Sequence, residues 1–415
     1  MTPGDGTKLA TTTSRAPVPS RLLDLTRLIS RVGRPMTGID RVEWAYLKRL
    51  SGQPVPLFGL IRTSYGFVIL DPEGIRSIRD RISGHVRWGS IDLLSALSRR
   101  KSGAVRRAES DLRRRALDRC RPNRLTEMLK KHLPEGVAYV NVGHTNLTDR
   151  VVSAVTHGAK GKVAVFVHDT IPLDFPQYQR VGSVDRFRAF LRQAGSRADT
   201  IIYNTDHSRR SAETWLQNWG RVPPGVVAHL GVDLPDQDTS VVSFETEPPY
   251  FVTVGTIEPR KNHGFLLDIW DDLGPDAPKL FVCGSRGWNN EDVFKRLDAM
   301  PENGPIVELS GMTDQALATL IVGSNGVLFP SLAEGYGLPP VEAAALGVPV
   351  VCNDLPVYRE TLGDIPVYAA VSDRYLWDRT IRKLATDPSG RSDNVLKTFV
   401  PPDWDTHFNT VLKLT

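Results

Sequence analysis

The chain has 415 residues, of which 40% are hydrophobic and 24% charged, and its formal net charge is +5. This composition allows a large buried core, divided among two or three domains. It excludes a membrane-spanning protein, because no apolar run approaches the roughly 20 residues that a membrane helix needs. The polar, proline- and threonine-rich start also lacks the apolar core of a signal peptide. We therefore expect a soluble cytoplasmic protein with a disordered tail over residues 1–20.

The three cysteines, Cys120, Cys283 and Cys352, lie far apart, with no closely spaced cysteine pair and no neighbouring histidine pair. This spacing argues against a zinc site and against a disulfide framework. It favours a reducing cytosol, where the glycosylation sequon that begins at Asn146 has no meaning.

The positive charge is concentrated in residues 76–131, the basic segment, which carries 17 lysines and arginines against 6 acidic residues. The segment sums to +11 and the rest of the chain to −6. Apolar residues at helical spacing among arginines predict a basic amphipathic helix over 106–120. Such a helix is often only a solvated face, and its functional alternatives are an anionic membrane surface or nucleic acid. Interleaved aspartates and the lack of aromatic residues disfavour nucleic acid.

The first half of the chain alternates short β-branched runs with helical patterns, which is typical of parallel sheets covered by helices. Strands are predicted at 22–29, 137–142, 163–167, 200–203 and, after Pro223 and Pro224, at the run VVAHL, and helices at 39–50, 106–120 and 184–196. This pattern predicts a first domain over residues 21–235. An acidic, proline-containing stretch at 236–249 then breaks the pattern and predicts a linker.

A second alternating series follows the linker. Its strands are predicted from the runs YFVTVG, KLFVCG, IVELSG, VLFP and VPVVC, and its helices at 262–272, 290–299, 314–322 and 339–346. The fold class is therefore α/β, with a second parallel-sheet domain over residues 250–400. The last residues, 401–415, predict a short amphipathic helix, which we expect to pack back on the first domain.

The strands of the second series end at small residues or turns, namely Gly255, Gly284, Gly311 and Pro330. In an open parallel sheet the ligand crevice lies at the carboxyl ends of the strands, so these positions should line it.

The stretch EGYGLPPVE at 334–342 joins one of these strand ends to a helix. Its prolines suit the first helical positions, and a helix N-terminus offers free N–H groups and the positive end of the dipole. The stretch therefore predicts a phosphate site. Glu342 is expected in the first helical turn, where a glutamate is favourable even without a ligand. Glu334, in the loop before the glycines, has no such structural explanation.

Arg260 and Lys261 follow the first strand of the second series, in a loop at the same edge of the sheet. An arginine and a lysine in a loop are usually only solvated. Beside a helix N-terminus in the same crevice, they predict a clamp for a diphosphate.

Together these residues resemble the retaining glycosyltransferases of family 4, which have the GT-B fold, two Rossmann-like parallel-sheet domains facing a central cleft. The resemblance is carried by VGTIEPRKN at 254–262, GMTDQALATLI at 311–321 and above all PSLAEGYGLPPVEAAALGVPVV at 330–351. The last of these holds the family's two spaced glutamates as Glu334 and Glu342. Weaker similarity at 36–50 and 165–178 extends the resemblance over nearly the whole chain past the tail.

The resemblance implies a site for a nucleoside-diphosphate sugar, with the nucleotide bound by the second domain. Glu342 would accept hydrogen bonds from the ribose hydroxyls, and Glu334 would contact the donor sugar. Lys261 would neutralise the leaving diphosphate, and Met312 would frame the base. Backbone N–H groups in the glycine-containing loop would bind the phosphates.

This chain departs from many relatives at Thr256, where they have an arginine. Arg260 and Arg286 are the candidates for the missing second cation, and the sequence leaves both open. The donor-binding residues that the resemblance implies are Gly38, Arg260, Lys261, Arg286, Met312, Gly335, Tyr336, Gly337, Leu338 and Glu342.

In the first domain, Gly38 matches a loop that lets the backbone approach the donor phosphate, and His168 matches a residue near the reacting carbon. A histidine after a buried strand is also often structural, but the adjoining Asp169 and the place at the crevice edge favour function. His144, at another strand end, is a weaker candidate for acceptor contact. The catalytic residues implied are His168, Glu334 and Lys261.

The implied activity is retaining transfer of a hexose to a glycan or lipid-linked glycan in surface polysaccharide synthesis. We expect mannose on guanosine diphosphate first, because VHDTIPLDFP resembles mannosyltransferases of the family, with glucose and rhamnose donors as alternatives. No metal or cofactor is expected, since Lys261, Arg260 and a helix dipole can neutralise the diphosphate. The expected partners are the donor, the acceptor and, through the basic segment, the inner face of the plasma membrane, but not nucleic acid.

Two other functions stay open on the sequence alone. One is a GT-B-fold sugar-nucleotide epimerase, an isomerase that needs no acceptor. The other is a non-catalytic protein that binds membrane or nucleic acid through the basic segment. Release of nucleoside diphosphate only in the presence of an acceptor separates the transferase from both.

Overall fold

The computed structural model of the chain describes residues 18–235, 249–301, 303–387 and 399–415. The predicted tail and linker fall mostly on residues 1–17 and 236–248, which lie outside the described residues. Ser20, the last residue of the predicted tail, is buried, and its carbonyl accepts a hydrogen bond from the Ala138 N–H at 3.0 Å. The fold therefore includes Ser20.

The first half of the chain forms an eight-stranded sheet. Its strands are β1 (Arg21–Asp24), β2 (Leu57–Thr63), β3 (Gly66–Leu70), β4 (Asp118–Cys120), β5 (Ala138–Asn141), β6 (Lys162–Val167), β7 (Thr200–Tyr203) and β8 (Gly225–Val227). Their order is β4-β3-β2-β1-β5-β6-β7-β8. The pairs from β2 through β1 to β8 are parallel, as expected for this domain, whereas the edge strands β3 and β4 are antiparallel. Strands β2, β3 and β4 were not predicted.

Helices cover this sheet and bury their apolar sides against it. They are α1 (Thr26–Ser30), α2 (Gly38–Ser51), α3 (Pro72–Ile82), α4 (Leu93–Leu97), α5 (Gly103–Arg115), α6 (Leu125–His132), α7 (Asp149–Ser153), α8 (Ile171–Asp174), α9 (Ser183–Arg197) and α10 (Asp206–Asn218). The core between them is built from leucine, isoleucine, valine and aromatic side chains.

The strand predicted at 22–29 is wrong beyond Asp24. The Asp24 carboxylate accepts the Thr26 N–H at 3.0 Å, a local side-chain to backbone bond that turns the chain out of β1. Residues 26–30 then form α1 instead of extending the strand.

The helix predicted at 106–120 is wrong at its C-terminal end. Helix α5 stops at Arg115, because Ala116 has an extended backbone with φ −65° and ψ 130°. The Leu117 N–H then donates to the Ile69 carbonyl at 2.9 Å, and the chain continues as edge strand β4. Pairing with β3 outweighed the helical periodicity.

The second half forms a six-stranded, wholly parallel sheet within the described residues. Its strands are β9 (Tyr250–Val254), β10 (Lys279–Cys283), β11 (Ile306–Leu309), β12 (Gly326–Phe329), β13 (Val350–Cys352) and β14 (Val367–Tyr368), in the order β11-β10-β9-β12-β13-β14. Its helices are α11 (His263–Leu273), α12 (Glu291–Asp298), α13 (Asp314–Gly323), α14 (Leu338–Ala345), α15 (Pro356–Leu362) and α16 (Arg374–Thr386). The predicted α/β class with two parallel-sheet domains is confirmed.

The last helix, α17 (Trp404–Val411), lies against the first domain. The Tyr46 hydroxyl and His407 Nε2 form a buried hydrogen bond at 2.9 Å, and the ring of Phe408 packs edge-on against Tyr46. The guanidinium of Arg21 donates to the Thr415 carbonyl at 3.0 Å. The C-terminal residues therefore pack on the first domain.

Polar contacts join the two domains. The Tyr336 hydroxyl donates to the Leu230 carbonyl at 2.8 Å, and Trp288 Nε1 donates to the Tyr178 carbonyl at 2.9 Å. The Glu360 carboxylate, from α15, accepts two backbone N–H groups at the start of α10. In the described part of the chain, no helix combines the length and the hydropathy needed to cross a bilayer.

Candidate active site

A cleft of about 660 Å³ lies between the two domains. The second domain lines it with the loops that follow β9, β10, β11 and β12, and the first domain with residues 34–42 and the end of β6. Of the predicted strand ends, Gly255, Gly284 and Gly311 reach the cleft, and Pro330 does not. The crevice therefore forms at the carboxyl ends of the parallel strands, where open sheets of this type place their ligands.

Most of the site residues predicted from the sequence come together in this cleft. Its lining includes Gly38, His168, Arg260, Lys261, Met312, Glu334, Gly335, Tyr336, Gly337, Leu338 and Glu342. Arg286 is absent from the lining, because its guanidinium pairs with Asp298 at 2.6 Å and with Glu308 at 2.7 Å on the domain surface. Of the two candidate second cations, the cleft contains Arg260.

Glu334, Arg260 and Lys261 form a buried ion-pair cluster on the floor of the cleft. Glu334 Oε1 lies 2.6 Å from Lys261 Nζ, and Glu334 Oε2 lies 2.9 Å from Arg260 Nη1. Arg260 also pairs with Glu258 at 2.6 Å and donates to the Ala333 carbonyl at 2.7 Å. Two cations and two carboxylates therefore fix each other's positions before any ligand binds.

The charges in this cluster affect the pKa of Glu334 more strongly than burial does. Burial alone would raise the pKa of the carboxyl, but the charges of Arg260 and Lys261 lower that pKa to about 2. Glu334 is therefore ionised at neutral pH. Its attraction for the two cations competes with that of any anion that enters the cleft.

Asp169 approaches this cluster from the first domain. Its carboxylate lies against Gly335, where an added Cβ would be 2.7 Å from Asp169 Oδ2, so only glycine fits at that position. Burial raises the pKa of Asp169 to about 6, against the opposing charge of Arg260. A carboxyl with this pKa exchanges its proton in the range in which enzymes usually work.

The backbone at the start of α14 offers a row of free donors. Gly337, with φ +88°, turns the chain into the helix, and prolines occupy the next two positions after Leu338. No described residue accepts a hydrogen bond from the N–H groups of residues 335–338. Four consecutive donors at the positive end of a helix dipole form a binding site for an anion.

Glu342 lies just beyond the first turn of α14, because the helix begins at Leu338, one residue earlier than predicted. It is the fifth residue of the helix, and the first turn contains no acidic residue, so the prediction that it stabilises the first turn was wrong. Its carboxylate forms an ion pair with Arg41 of α2, across the cleft. Burial raises the pKa of Glu342, and the charge of Arg41 partly opposes that rise.

His168 is buried at the end of β6, and its ring nitrogen Nε2 donates to the Val142 carbonyl at 2.9 Å. Burial lowers the pKa of His168 to about 4, so the ring is neutral at physiological pH. No described residue bonds to Nδ1, which is left as an acceptor for a ligand hydroxyl. His144 does not line the cleft, and its ring accepts the backbone N–H of His168 at 3.3 Å.

Several charged residues of the cleft were not predicted as site residues. They are Arg31, Arg34, Arg41, Asp169 and Asp314. Arg41 and Asp169 face partners on the opposite domain, and no local pattern marks such pairs. The only sequence signal was their closeness to Gly38 and His168.

A metal site was not predicted, and the described residues contain no group of three or more histidine, cysteine, aspartate or glutamate side chains that could hold a metal ion. Asp403 and Asp405, two aspartates separated by one residue, lie at the start of α17 and both have partners. Asp403 caps that helix through the Thr406 N–H at 2.7 Å, and Asp405 pairs with Arg49 at 2.5 Å. Independence from metal stays a prediction.

Comparison with known sequences finds similarity that is concentrated in the second domain. The model of the family described as glycosyl transferases group 1 matches residues 236–393. The serotype-specific mannosyltransferase WbdA of Escherichia coli is 31% identical over 221 residues, which cover 49% of this chain and 27% of that protein. The O-antigen chain mannosyltransferase RfbU of Salmonella typhimurium is 28% identical over 146 residues, 34% of this chain and 40% of that protein. The matched region spans less than half of either relative.

Solved structures share the whole fold at low sequence identity. HepE of Anabaena, in complex with UDP-glucose, matches with a TM-score of 0.61 at 12% identity, over 95% of this chain and 97% of its own. Sucrose-phosphate synthase of Thermosynechococcus elongatus matches with a TM-score of 0.57 at 13% identity, over 95% and 96%. The chain thus has the predicted GT-B fold, and the model described as glycosyl transferases group 1 matches residues of its second domain.

Proposed function

We propose that the chain transfers a hexose, with mannose as the first candidate, from a nucleoside-diphosphate sugar to a glycan or lipid-linked glycan of a surface polysaccharide. The transfer retains the anomeric configuration and needs no metal. One observation carries the proposal: the four unbonded N–H groups of residues 335–338 share a cleft with Arg260 and Lys261.

The diphosphate of the donor occupies the start of α14. Negative charge grows on the leaving diphosphate as the bond to the sugar breaks, and preorganised donors and cations favour that state most. The N–H groups of 335–338 and the helix dipole supply fixed partial charge. Lys261, already held by Glu334, supplies a full charge without having to be ordered during the reaction.

The two glutamates bind the two ends of the donor. Glu334 accepts hydrogen bonds from hydroxyls of the transferred sugar with the lone pairs that its cations leave free. Glu342 accepts the ribose hydroxyls, and Met312 frames the base. Because Arg41 pairs with Glu342 in this structure, the ribose replaces or joins that contact when the donor binds.

Retention follows from attack on the same face that the diphosphate leaves. The bond between the anomeric carbon and the diphosphate oxygen breaks, the acceptor oxygen bonds to that carbon, and the acceptor proton passes to the leaving diphosphate. Glu334 is a poor covalent nucleophile, because two cations hold its charge and lower its pKa. His168, neutral and anchored through Nε2, accepts a hydroxyl hydrogen bond at Nδ1 and orients the sugar.

The choice of mannose and of a polysaccharide acceptor is supported by the relatives, which are named as mannosyltransferases of serotype-specific and O-antigen chains. Both relatives extend well beyond the matched region, and their other parts can contribute to the choice of acceptor. The acceptor of this chain therefore belongs to the proposal. A lipid-linked acceptor would bring the chain to the cytoplasmic face of a membrane.

The test is release of nucleoside diphosphate from a panel of sugar nucleotides, with and without an acceptor glycan, after thermal shift has identified the donor that binds. We expect release only with the acceptor, and its loss in Lys261→Ala but not in the matched control Arg286→Ala, whose cation lies outside the cleft. A new sugar nucleotide formed without any acceptor would instead establish an epimerase. Failure to bind any sugar nucleotide would exclude both enzymes.

A further inference from the structure

Helix α4 presents its apolar side chains to solvent and buries its polar one. The side chains of Leu93 and Leu97 are 88% and 73% exposed, and Leu94 is 40% exposed, whereas Ser95 is fully buried. The hydrophobic effect places leucine inside and serine outside when a helix packs in water. This reversed arrangement therefore points to an apolar environment outside the protein.

Polar contacts hold α4 in this orientation. Asp92 caps the helix by accepting the Ser95 N–H at 2.8 Å. The Arg113 guanidinium donates to the Asp92 carboxylate at 2.6 and 2.7 Å and also to the Ser95 hydroxyl. On the other side, the Tyr65 hydroxyl donates to the Leu94 carbonyl at 2.9 Å. The exposure of the leucines is thus built into the fold and does not come from a frayed end.

The cations of the basic segment around this helix are largely free. All six acidic residues of the segment pair with cations of the same segment. The remaining cations form no ion pair with any residue that the structure describes: Arg76, Arg87, Arg99, Arg100, Arg106, Arg107, Arg115, Arg119, Arg121 and Lys130. Arg99 and Arg100 are exposed and follow α4 directly.

The predicted basic amphipathic helix is not the apolar surface. Helix α5 buries Val105, Ala108 and Leu112 in the core, and its exposed face carries Arg107, Arg114 and Arg115. The exposed apolar surface lies one helix earlier, on α4, and α4 packs on α5.

Helix α5, on which α4 packs, also contacts a loop that lines the cleft. At Gly33, with φ +83°, an added Cβ would lie 2.6 Å from Cβ of Ala104, so the loop before α2 packs tightly against the start of α5. Arg31 and Arg34, on either side of that glycine, line the cleft. The loop that lines the cleft therefore packs on α5, the helix on which α4 also packs.

We propose that Leu93, Leu94 and Leu97, together with Arg99 and Arg100, dock the chain on an anionic membrane surface. The leucines insert at the boundary between headgroups and acyl chains, and the free cations bind lipid phosphates. We favour an anionic lipid surface because the basic segment sums to +11 and its own acidic residues are already paired. Docking serves the proposed function by bringing a lipid-linked acceptor to the cleft, but the binding itself does not depend on catalysis.

The test is co-sedimentation of the full chain with vesicles of phosphatidylcholine alone and of an equimolar mixture with phosphatidylglycerol. We expect binding to the anionic vesicles only. Leu93→Ser/Leu97→Ser should weaken it by about tenfold or more, since two buried leucines are lost. Arg99→Glu/Arg100→Glu should weaken it by about tenfold and reduce its salt dependence.

Matched controls distinguish binding through α4 from nonspecific hydrophobic or electrostatic binding to vesicles. Val181→Ser removes a fully exposed apolar side chain elsewhere, and Arg379→Glu/Lys383→Glu reverses two exposed cations of α16. Both should bind like the parent chain. The α4 variants should still release nucleoside diphosphate with a water-soluble acceptor. Vesicle binding therefore reports on docking, and release of nucleoside diphosphate reports on catalysis. Absent vesicle binding, equal binding by the α4 variants, or binding to nucleic acid alone overturns the proposal.

Discussion

The two ends of the cleft hold similar glutamates in different ways. Glu334 is held entirely within the second domain, by Arg260 and Lys261, and its pKa is lowered. Glu342, eight positions later, is paired across the cleft by Arg41 of the first domain, and its pKa is raised. The ion pairs of Glu334 lie within one domain, although Asp169 of the first domain lies against Gly335, whereas the ion pair of Glu342 depends on how closely the domains approach.

This difference separates two properties that the sequence presents as one motif. The diphosphate end, being preorganised, should keep its geometry when the domains open. The ribose end should respond to domain movement and to changes on α2. Variants at the two ends should therefore differ in kind, with losses of stability and turnover at the first and changes of donor affinity at the second.

The largest effect should follow Arg260→Ala, which leaves Glu258 and Glu334 buried with one partner fewer each. We expect a loss of about 3 to 5 kcal/mol in the free energy of unfolding, as for other broken buried ion pairs. Urea unfolding of the variant beside Arg286→Ala measures it. The control pair is exposed and should cost about 1 kcal/mol or less. Equal losses in the two variants would contradict the buried cluster.

Lys261→Ala should reduce turnover by about 10² to 10³-fold, the usual cost of removing one preorganised donor to a developing anion. Donor affinity should change much less, because the charge is needed most in the transition state. Steady-state kinetics with the identified donor gives both values. A rise in KM with unchanged kcat would mean that Lys261 binds the ground state only.

Acid stability tests the pair His168 and Asp169, next to the preorganised end. Asp169 has a pKa raised from 3.8 to about 6, so the folded state holds the extra proton in that range and stability falls as pH rises through it. His168 has a pKa lowered from 6.5 to about 4, so the unfolded chain holds the extra proton and stability rises with pH. The two effects oppose each other between about pH 4 and 6.

Asp169→Asn should therefore make the free energy of unfolding fall more steeply as pH drops from 6 to 4, by an additional amount of about 2 to 3 kcal/mol. His168→Gln should make the same curve flatter. Urea titrations across this range measure both slopes. Parallel curves for the two variants and the parent chain would show that neither group titrates as described.

The smallest effect should come from Arg41→Ala at the bridged end. Removing the partly exposed ion pair frees Glu342 for the ribose, so the donor Kd should fall by about two- to fivefold, corresponding to about 1 kcal/mol or less. Glu342→Ala should have the opposite sign and weaken binding. Calorimetric titration measures the donor Kd of both variants. Weaker donor binding in Arg41→Ala would mean that Arg41 itself contacts the donor.

Most of the second domain could be predicted from the sequence, because its signals are local. Strand ends, the glycines before α14 and the cation pair after β9 all lie within short stretches. Contacts between distant parts of the chain could not be predicted. Arg41 and Glu342 are 301 positions apart, and Arg286 lies outside the cleft because it pairs with Glu308, which is distant in the sequence. The orientation of α4 could not be predicted for the same reason, because Arg113, which holds it, belongs to α5.

A crystal structure of the chain with its donor bound tests the central claim most directly. We expect the diphosphate oxygens within hydrogen-bond distance of the N–H groups of residues 335–338 and beside Lys261 Nζ, with the ribose at Glu342. A diphosphate bound anywhere else in the cleft, or a donor that leaves these four N–H groups free, would contradict it.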